Sequence, residues 1–301
     1  MKRRNFLGLL PAAAIWSAFN PAEQLPISCS TYDWLTFYSR EGKKWGENVD
    51  ADIADFKKTG MKAIEPNLTS LEMTKSLIAA LKRQNIRMPS VYVNSTLHEA
   101  RTVSQEIEKV LKIARLAKSY GTSIVVTNPS PISWGEGQLK SDRQLSVQAK
   151  ALNDLGTALR QLGMHLAYHT HDMEMKAGAR EFHHMLQNTE PQNMSFCFDV
   201  HWIYRGSGNS ALAVYDVLKM YGNRVIELHL RQSKAGLYEE VFSGDGDIDY
   251  HFVASELQKQ KVRAHLVIEQ CLEQNSPHTL NAVEAHKQDF EVVKKVFKRD
   301  F

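Results

Sequence analysis

"RVIELHLRQS", residues 224–233, alternates apolar and ionisable side chains along what reads as a β-strand. Successive side chains of an extended segment face opposite ways, so Ile226, Leu228 and Leu230 share one face and Glu227, His229 and Arg231 share the other. A half-exposed strand with its polar face in water accounts for most such patterns. The meaning of this one therefore rests on its neighbours.

Outward from that stretch, short apolar runs alternate with amphipathic helical patterns. Strands are predicted near 27–31, 61–66, 87–93, 123–128, 164–170, 194–199, 225–231 and 264–270, and helices near 49–59, 70–84, 99–120, 142–162, 179–188, 210–221, 249–260 and 279–298. Gly60, Gly121, Gly163 and Gly222 each stand just past a helical pattern and just before a strand, the place of a left-handed C-cap. In "SGDGDIDY" a glycine turn leads to an N-cap Asp249. Eight strand-helix repeats without a change of composition predict an α/β fold, a single-domain (β/α)8 TIM barrel. A doubly wound sheet would need a glycine-rich phosphate turn after the first strand, and "SCSTYDWL" has none.

A barrel makes the alternation informative, because active-site groups sit at the C-terminal ends of its strands on the inward parity. In "HLAYHTH" the outward Leu166 and Tyr168 leave His169 and His171 inward. Asp199 ends "MSFCFD" with Phe196 and Phe198 outward. His229 and Arg231 occupy the same parity in the opening stretch, Glu269 does so in "HLVIEQ", and Glu65 does so in "KAIEPN".

The chain of 301 residues carries 37 Lys+Arg against 34 Asp+Glu. Lys2, Arg3 and Arg4 precede an apolar stretch free of acids, the layout of an export signal, and Arg3-Arg4 followed by Phe6-Leu7 resembles a twin-arginine signal. Residues 1–24 are expected to be that signal and 25–301 the barrel, with a periplasmic destination. The apolar run, broken by Pro11, is too short to span a membrane. Without the three basic residues the balance is 34 against 34, since the first acid is Glu23. A neutral chain is poor material for binding a polyanion, which excludes nucleic acid as the expected partner and counts against an endonuclease. Cys29, Cys197 and Cys271 show no CxxC spacing, fall in predicted strands or at the end of one, and read as small buried hydrophobes, with no disulfide framework.

Asp199, His229, Glu269 and one or both of His169 and His171 thus converge on one spot. A hydrogen-bonded plug accounts for any one of them. Four on one parity at the same end of consecutive strands point instead to a divalent cation, which relieves the repulsion of crowded carboxylates. Mixed imidazole and carboxylate donors suit manganese, cobalt, iron or zinc.

"YHTHDMEM", "FDVHWIYRGSG", "ELHLRQS", "SGDGDID" and "LVIEQ", in this order and spacing, resemble the sugar phosphate isomerase/epimerase family of xylose-isomerase-like barrels, from Cys29 to about Phe297. That family includes tagatose and psicose 3-epimerases, hydroxypyruvate isomerase and inosose dehydratase. The resemblance implies a divalent metal, magnesium included, on His169, Asp199, His229 and Glu269. The epimerases carry a glutamate where this chain has His169, so Glu174 or His171 is an alternative for completing the site. Trp202 stands near a substrate-contacting histidine of many epimerases, and "HLRQ" replaces the commoner "HxKD".

The chemistry implied is removal of a proton beside a ketone, with the cation stabilising the enediolate. Glu269 is the expected base; His171, Glu174 and Glu65 compete for the second proton-transfer role. Arg231, Trp202, His201 and Trp134 are the expected sugar contacts, and Tyr32, Trp34 and Tyr92 are further aromatic residues at strand ends. An isomerase or epimerase of a keto-sugar is the first expectation. A lyase or dehydratase acting on a keto-sugar or 3-keto-glycoside is the second, and a catalytically silent carbohydrate-binding barrel the third. An exported enzyme would meet unphosphorylated sugars. A homo-oligomer is compatible with the sequence; a stable membrane insertion is not expected.

Overall fold

Capped helices separated by short apolar runs can only bury those runs by laying the strands side by side under the helices. The computed structural model, which describes residues 24–135 and 137–298, has this arrangement. Its strands are β1 (Ser28–Ser30), β2 (Ala63–Glu65), β3 (Ser90–Tyr92), β4 (Ile124–Thr127), β5 (His165–Tyr168), β6 (Met194–Asp199), β7 (Val225–Leu230) and β8 (His265–Ile268). They form one parallel sheet in the order β2-β1-β8-β7-β6-β5-β4-β3. Bridges Ala63↔Arg87 and Asn67↔Tyr92 join the two ends, with Ile64 N donating to Arg87 O at 3.0 Å and Tyr92 N to Pro66 O at 2.9 Å. The (β/α)8 barrel expected from the repeats is the fold. The predicted signal lies, except for Gln24, outside the described residues. No helix among the described residues is long and apolar enough to cross a membrane.

The helices are α1 (Thr31–Arg40), α2 (Val49–Lys58), α3 (Leu71–Gln84), α4 (Val103–Lys118), α5 (Asp142–Gln161), α6 (Lys176–Gln187), α7 (Val200–Gly206), α8 (Ala211–Tyr221), α9 (Tyr250–Lys259) and α10 (Ala282–Val296). Capping boxes open α5 at Ser141/Gln144 and α10 at Asn281/Glu284, and Asp249 caps α9 as expected. Gly60, Gly121 and Gly163 are left-handed at φ +86°, +98° and +69°. Gly222 is not, with φ −55°. It is a glycine for a different reason: a Cβ there would lie 2.3 Å from Gln260 Oε1.

Outward-facing Leu166, Tyr168, Phe196, Phe198, Leu228, Leu230, Leu266 and Ile268 bury under the helices in one continuous core. A second cluster, Tyr92, Ile124, Val126, Ala167, Cys197 and Ile226, fills the barrel interior. Ile226 corrects the simple alternation. Phe196 pairs with Val225 but Cys197 pairs with Glu227, so a β-bulge gives β7 an extra residue and turns Ile226 inward. Above the bulge the alternation resumes, and His229 sits beside Asp199 in register.

Candidate active site

Each candidate side chain is set by the strand end that carries it. Asp199 ends β6 and is also the N-cap of α7, its Oδ1 accepting from Trp202 N at 2.7 Å. That dual role fixes the carboxylate with one oxygen engaged and Oδ2 turned to His169 Nε2 at 3.3 Å. His229 Nδ1 stands 2.9 Å from Glu269 Oε2, and His169 Nε2 is 4.0 Å from the same oxygen. One donor atom each from His169, Asp199, His229 and Glu269 lies within 4.8 Å of the other three, and all four residues are buried. His171 and Glu174 are not in that set. Of the alternatives open in the sequence, the geometry brings His169 to the cluster.

The electrostatics fit a cation. Burial, with the charge of Glu269 added, pushes Asp199 up to about 7. Burial and His229 push His169 down to about 3, so its imidazole is neutral and able to ligate. Burial opposes ionisation of Glu269, but His229 beside it holds the carboxyl well below the usual range. Two imidazoles and two carboxylates without a thiolate match manganese, cobalt, iron or zinc.

Below His229 lies a polar layer of which only Glu65 is a sequence candidate. Glu65 Oε1 and Glu227 Oε1 stand 3.0 and 3.4 Å from His229 Nε2, neither aligned for a hydrogen bond. Glu227 Oε2 pairs with His265 Nδ1 at 2.7 Å, whose Nε2 meets Ser28 Oγ at 2.9 Å, and Ser90 Oγ donates to Glu65 Oε2 at 2.5 Å. Glu65 therefore sits on the far ring nitrogen of His229, away from Glu269 and the mouth. The signal for this layer was present: Glu227 shares the parity of His229, and His265 is its register partner on β8.

At the mouth, the half-buried His171 ring packs edge-on against Trp134 at 5.1 Å and Trp202 at 5.3 Å, and its Nδ1 has no hydrogen-bond partner. Glu174 accepts from Asn128 Nδ2 at 3.1 Å and from His171 N at 2.8 Å, so it holds the turn that presents His171. Arg231 lies 3.6 Å over the Tyr238 ring and 5.6 Å from that of Trp202, and Trp134 is 56% exposed. Tyr238 belongs to a small hairpin, Ser233–Lys234 against Leu237–Tyr238, that folds beside the mouth. Two residues depart from expectation. His201 has Nε2 on Ser233 Oγ at 2.8 Å and Nδ1 on Tyr238 OH at 3.2 Å, which leaves no ring nitrogen for a sugar. Trp34 is fully buried among Tyr38, Trp45 and Phe56 and belongs to the core.

A parallel eight-stranded barrel with buried histidines and carboxylates gathered at the ends of β5 to β8 defines a class of barrel rather than one reaction. The chain belongs to the xylose isomerase-like TIM barrel family, whose pattern matches residues 53–296. Among curated relatives, the inosose dehydratase of Clostridium perfringens is 29% identical over 172 residues, 51% of this chain and 56% of that protein, so the match spans about half of each. A sugar phosphate isomerase/epimerase from Parabacteroides distasonis superposes with TM-score 0.68 at 16% identity, covering 89% of this chain and 97% of that one. An L-ribulose 3-epimerase superposes with TM-score 0.67 at 12% identity, covering 91% and 94%. At these identities the structural likenesses establish the fold.

Proposed function

We propose that the protein is a divalent-metal-dependent enzyme that removes a proton from the carbon beside the carbonyl of a keto-sugar, acting as an isomerase or epimerase. The observation that carries this reading is the buried quartet His169, Asp199, His229 and Glu269 at the C-terminal mouth of a barrel of this family. Those four residues would hold a divalent cation, which would supply charge stabilisation beside the substrate carbonyl. Glu269, whose Oε2 lies 2.9 Å from His229 Nδ1 at the mouth, is the base. His171, with an unpartnered Nδ1 between two tryptophans, is the second proton-transfer group. Arg231, pinned over Tyr238, is placed to hold a substrate hydroxyl or carbonyl.

The role of His171 also favours a second reading. An imidazole that protonates a departing β-hydroxyl or glycosidic oxygen makes the enzyme a lyase, the class to which the inosose dehydratase relative belongs by name. Both readings share the first proton removal. Solvent-deuterium incorporation, followed by proton NMR across free ketoses, an inosose and 3-keto-glucosides, tests it with the metal-loaded protein. Exchange beside the carbonyl is expected; the accompanying product, an epimer or an eliminated sugar, separates the two readings. A metal-loaded protein that exchanges no proton across the panel would leave only a binding role.

Glu227 is proposed as a positioning residue, because it anchors the His229 side of the site through His265. Glu227→Gln is expected to weaken metal affinity roughly 10- to 100-fold, the usual effect of losing a group that orients a ligating histidine. Titration calorimetry with manganese checks this, and unchanged affinity would reduce Glu227 to barrel packing. Residues 1–24 are further proposed to direct export; the signal layout of Lys2, Arg3 and Arg4 supports this, and cell fractionation that recovers only cytoplasmic protein would refute it.

A further inference from the structure

Three buried side chains on the flank of the barrel carry a second set of metal-ligating atoms that the reaction does not use. Cys29 faces outward from β1, Asp33 sits in the first turn of α1, and His286 lies on α10; one ligand atom from each falls within 4.8 Å of the others. Cys271, just past β8, lies outside that mutually close trio but adjoins it through Asp33: its Sγ is 3.1 Å from Asp33 Oδ1, while Cys29 Sγ is 3.4 Å from Asp33 Oδ2. All four residues are fully buried, and the cysteines are free thiols.

Hydrogen bonding alone leaves part of this cluster unexplained. The two thiols and Gln270 N satisfy Asp33, but His286 does not close the account. Its Nδ1 is taken by Asp289 Oδ2 at 2.8 Å, and its Nε2, fully buried, has no hydrogen-bond partner. A buried polar atom without a protein partner has room for a water or an ion. Asp289 is itself fixed by Phe242 N at 2.5 Å, so the imidazole is oriented by a carboxylate on one nitrogen and offers the other. That carboxylate-histidine arrangement is how ligating histidines are held in metal sites. Two fully buried carboxylates flank the imidazole, Asp289 on Nδ1 and Asp33 with an oxygen within 4.8 Å of a ring nitrogen.

We propose that Cys29, Asp33, Cys271 and His286 form a second, structural metal site for a thiophilic divalent cation, zinc foremost. The trio supplies one thiolate, one carboxylate and one imidazole, and Cys271, turning from Asp33 to the ion, would complete the four-coordinate set that zinc takes; this differs in kind from the sulfur-free quartet at the mouth. Binding displaces one proton from each thiol. The site ties β1 and α1 to the exit of β8 and to α10, so it staples the first and last strand-helix units where the barrel closes. It stands independently of the reaction proposed above. Its links to the mouth run through the backbone: Asp33 Oδ2 accepts from Gln270 N at 3.1 Å, next to Glu269, and Cys271 O accepts from Arg231 Nη2 at 3.2 Å.

Cobalt distinguishes the two sites without reference to activity, since only a thiolate ligand produces a sulfur-to-cobalt charge-transfer band in the near ultraviolet. The full chain saturated with cobalt is expected to show that band, to keep it in Glu269→Gln and in Cys197→Ser, and to lose it in the Cys29→Ser/Cys271→Ser double variant. Cys197 is included because it forms its own buried cluster with Glu227 and His229. Elemental analysis should show one metal equivalent fewer in the double variant. X-ray absorption at the zinc edge of the unmutated protein needs no variant: a sulfur shell at about 2.3 Å is expected. No charge-transfer band and no sulfur shell, or a band that disappears with Cys197→Ser, would overturn the proposal.

Discussion

Replacing Glu269 with glutamine is expected to lower turnover by roughly 10²- to 10⁴-fold at saturating metal, the range for loss of a positioned proton-transfer group. Glutamine keeps the shape and one donor oxygen, so the barrel and the rest of the quartet stay in place. What it loses is the negative charge that sits 2.9 Å from His229 Nδ1 and the basicity needed to accept a carbon-bound proton. Steady-state rates and manganese titration on the same preparation separate the two losses. A variant whose metal affinity falls while turnover at saturation stays within about tenfold of the original would remove Glu269 from the role of base. A fall in turnover that excess metal does not restore is the outcome the geometry supports.

The strand parities that located this glutamate were legible because inward positions of a barrel must alternate with outward ones, and Phe196, Phe198, Leu228, Leu230, Leu266 and Ile268 announce the outward face. The alternation failed at Ile226, where a bulge inserts a residue without altering composition. Two helices carry no sequence signal for a related reason. α1 begins at Thr31 immediately after β1, and α7 begins at Val200 immediately after β6, so neither has a linker to mark it. Their caps, Ser30 and Asp199, read as the ends of strands. α6 was placed from residue 179, and its regular part does begin about there, since Ala177, Gly178 and Ala179 are left-handed. The quartet was readable in outline, but choosing His169 over Glu174 required the turn after β5, in which Glu174 is occupied by Asn128 and the His171 amide. The Cys29, Asp33, Cys271 and His286 cluster was not readable at all. Its members come from four elements up to 257 residues apart in number, and only closure of the barrel brings them together.

Gly156→Ala is expected to destabilise the fold by about 2 kcal/mol or more, against the direction helix propensity gives. Gly156 lies inside α5 with no left-handed backbone, and in an open helix alanine is worth about 1 kcal/mol over glycine. Here the Cβ would lie 1.9 Å from Asn193 O and 2.6 Å from Asn193 C. The turn that carries Asn193 is tied to the same helix around that point. Asn153 Oδ1 accepts from Glu190 N at 2.7 Å, Asn153 Nδ2 donates to Asn188 O at 3.3 Å, and Arg160 Nε donates to Asn193 Oδ1 at 3.3 Å. A methyl group must therefore push helix and turn apart against those bonds, and overpacking of this kind costs roughly 1–3 kcal/mol and sometimes more. The turn leads directly into β6, so the displacement also reaches Asp199 at the strand's far end and should weaken metal binding. Denaturant melts of Gly156→Ala beside Gly121→Ala make the comparison. Gly121 has φ +98° and open space around it, so alanine there meets backbone strain but no neighbour. If Gly156→Ala proves as stable as the unmutated protein, the 188–193 turn yields freely, and close packing of α5 against it does not position β6.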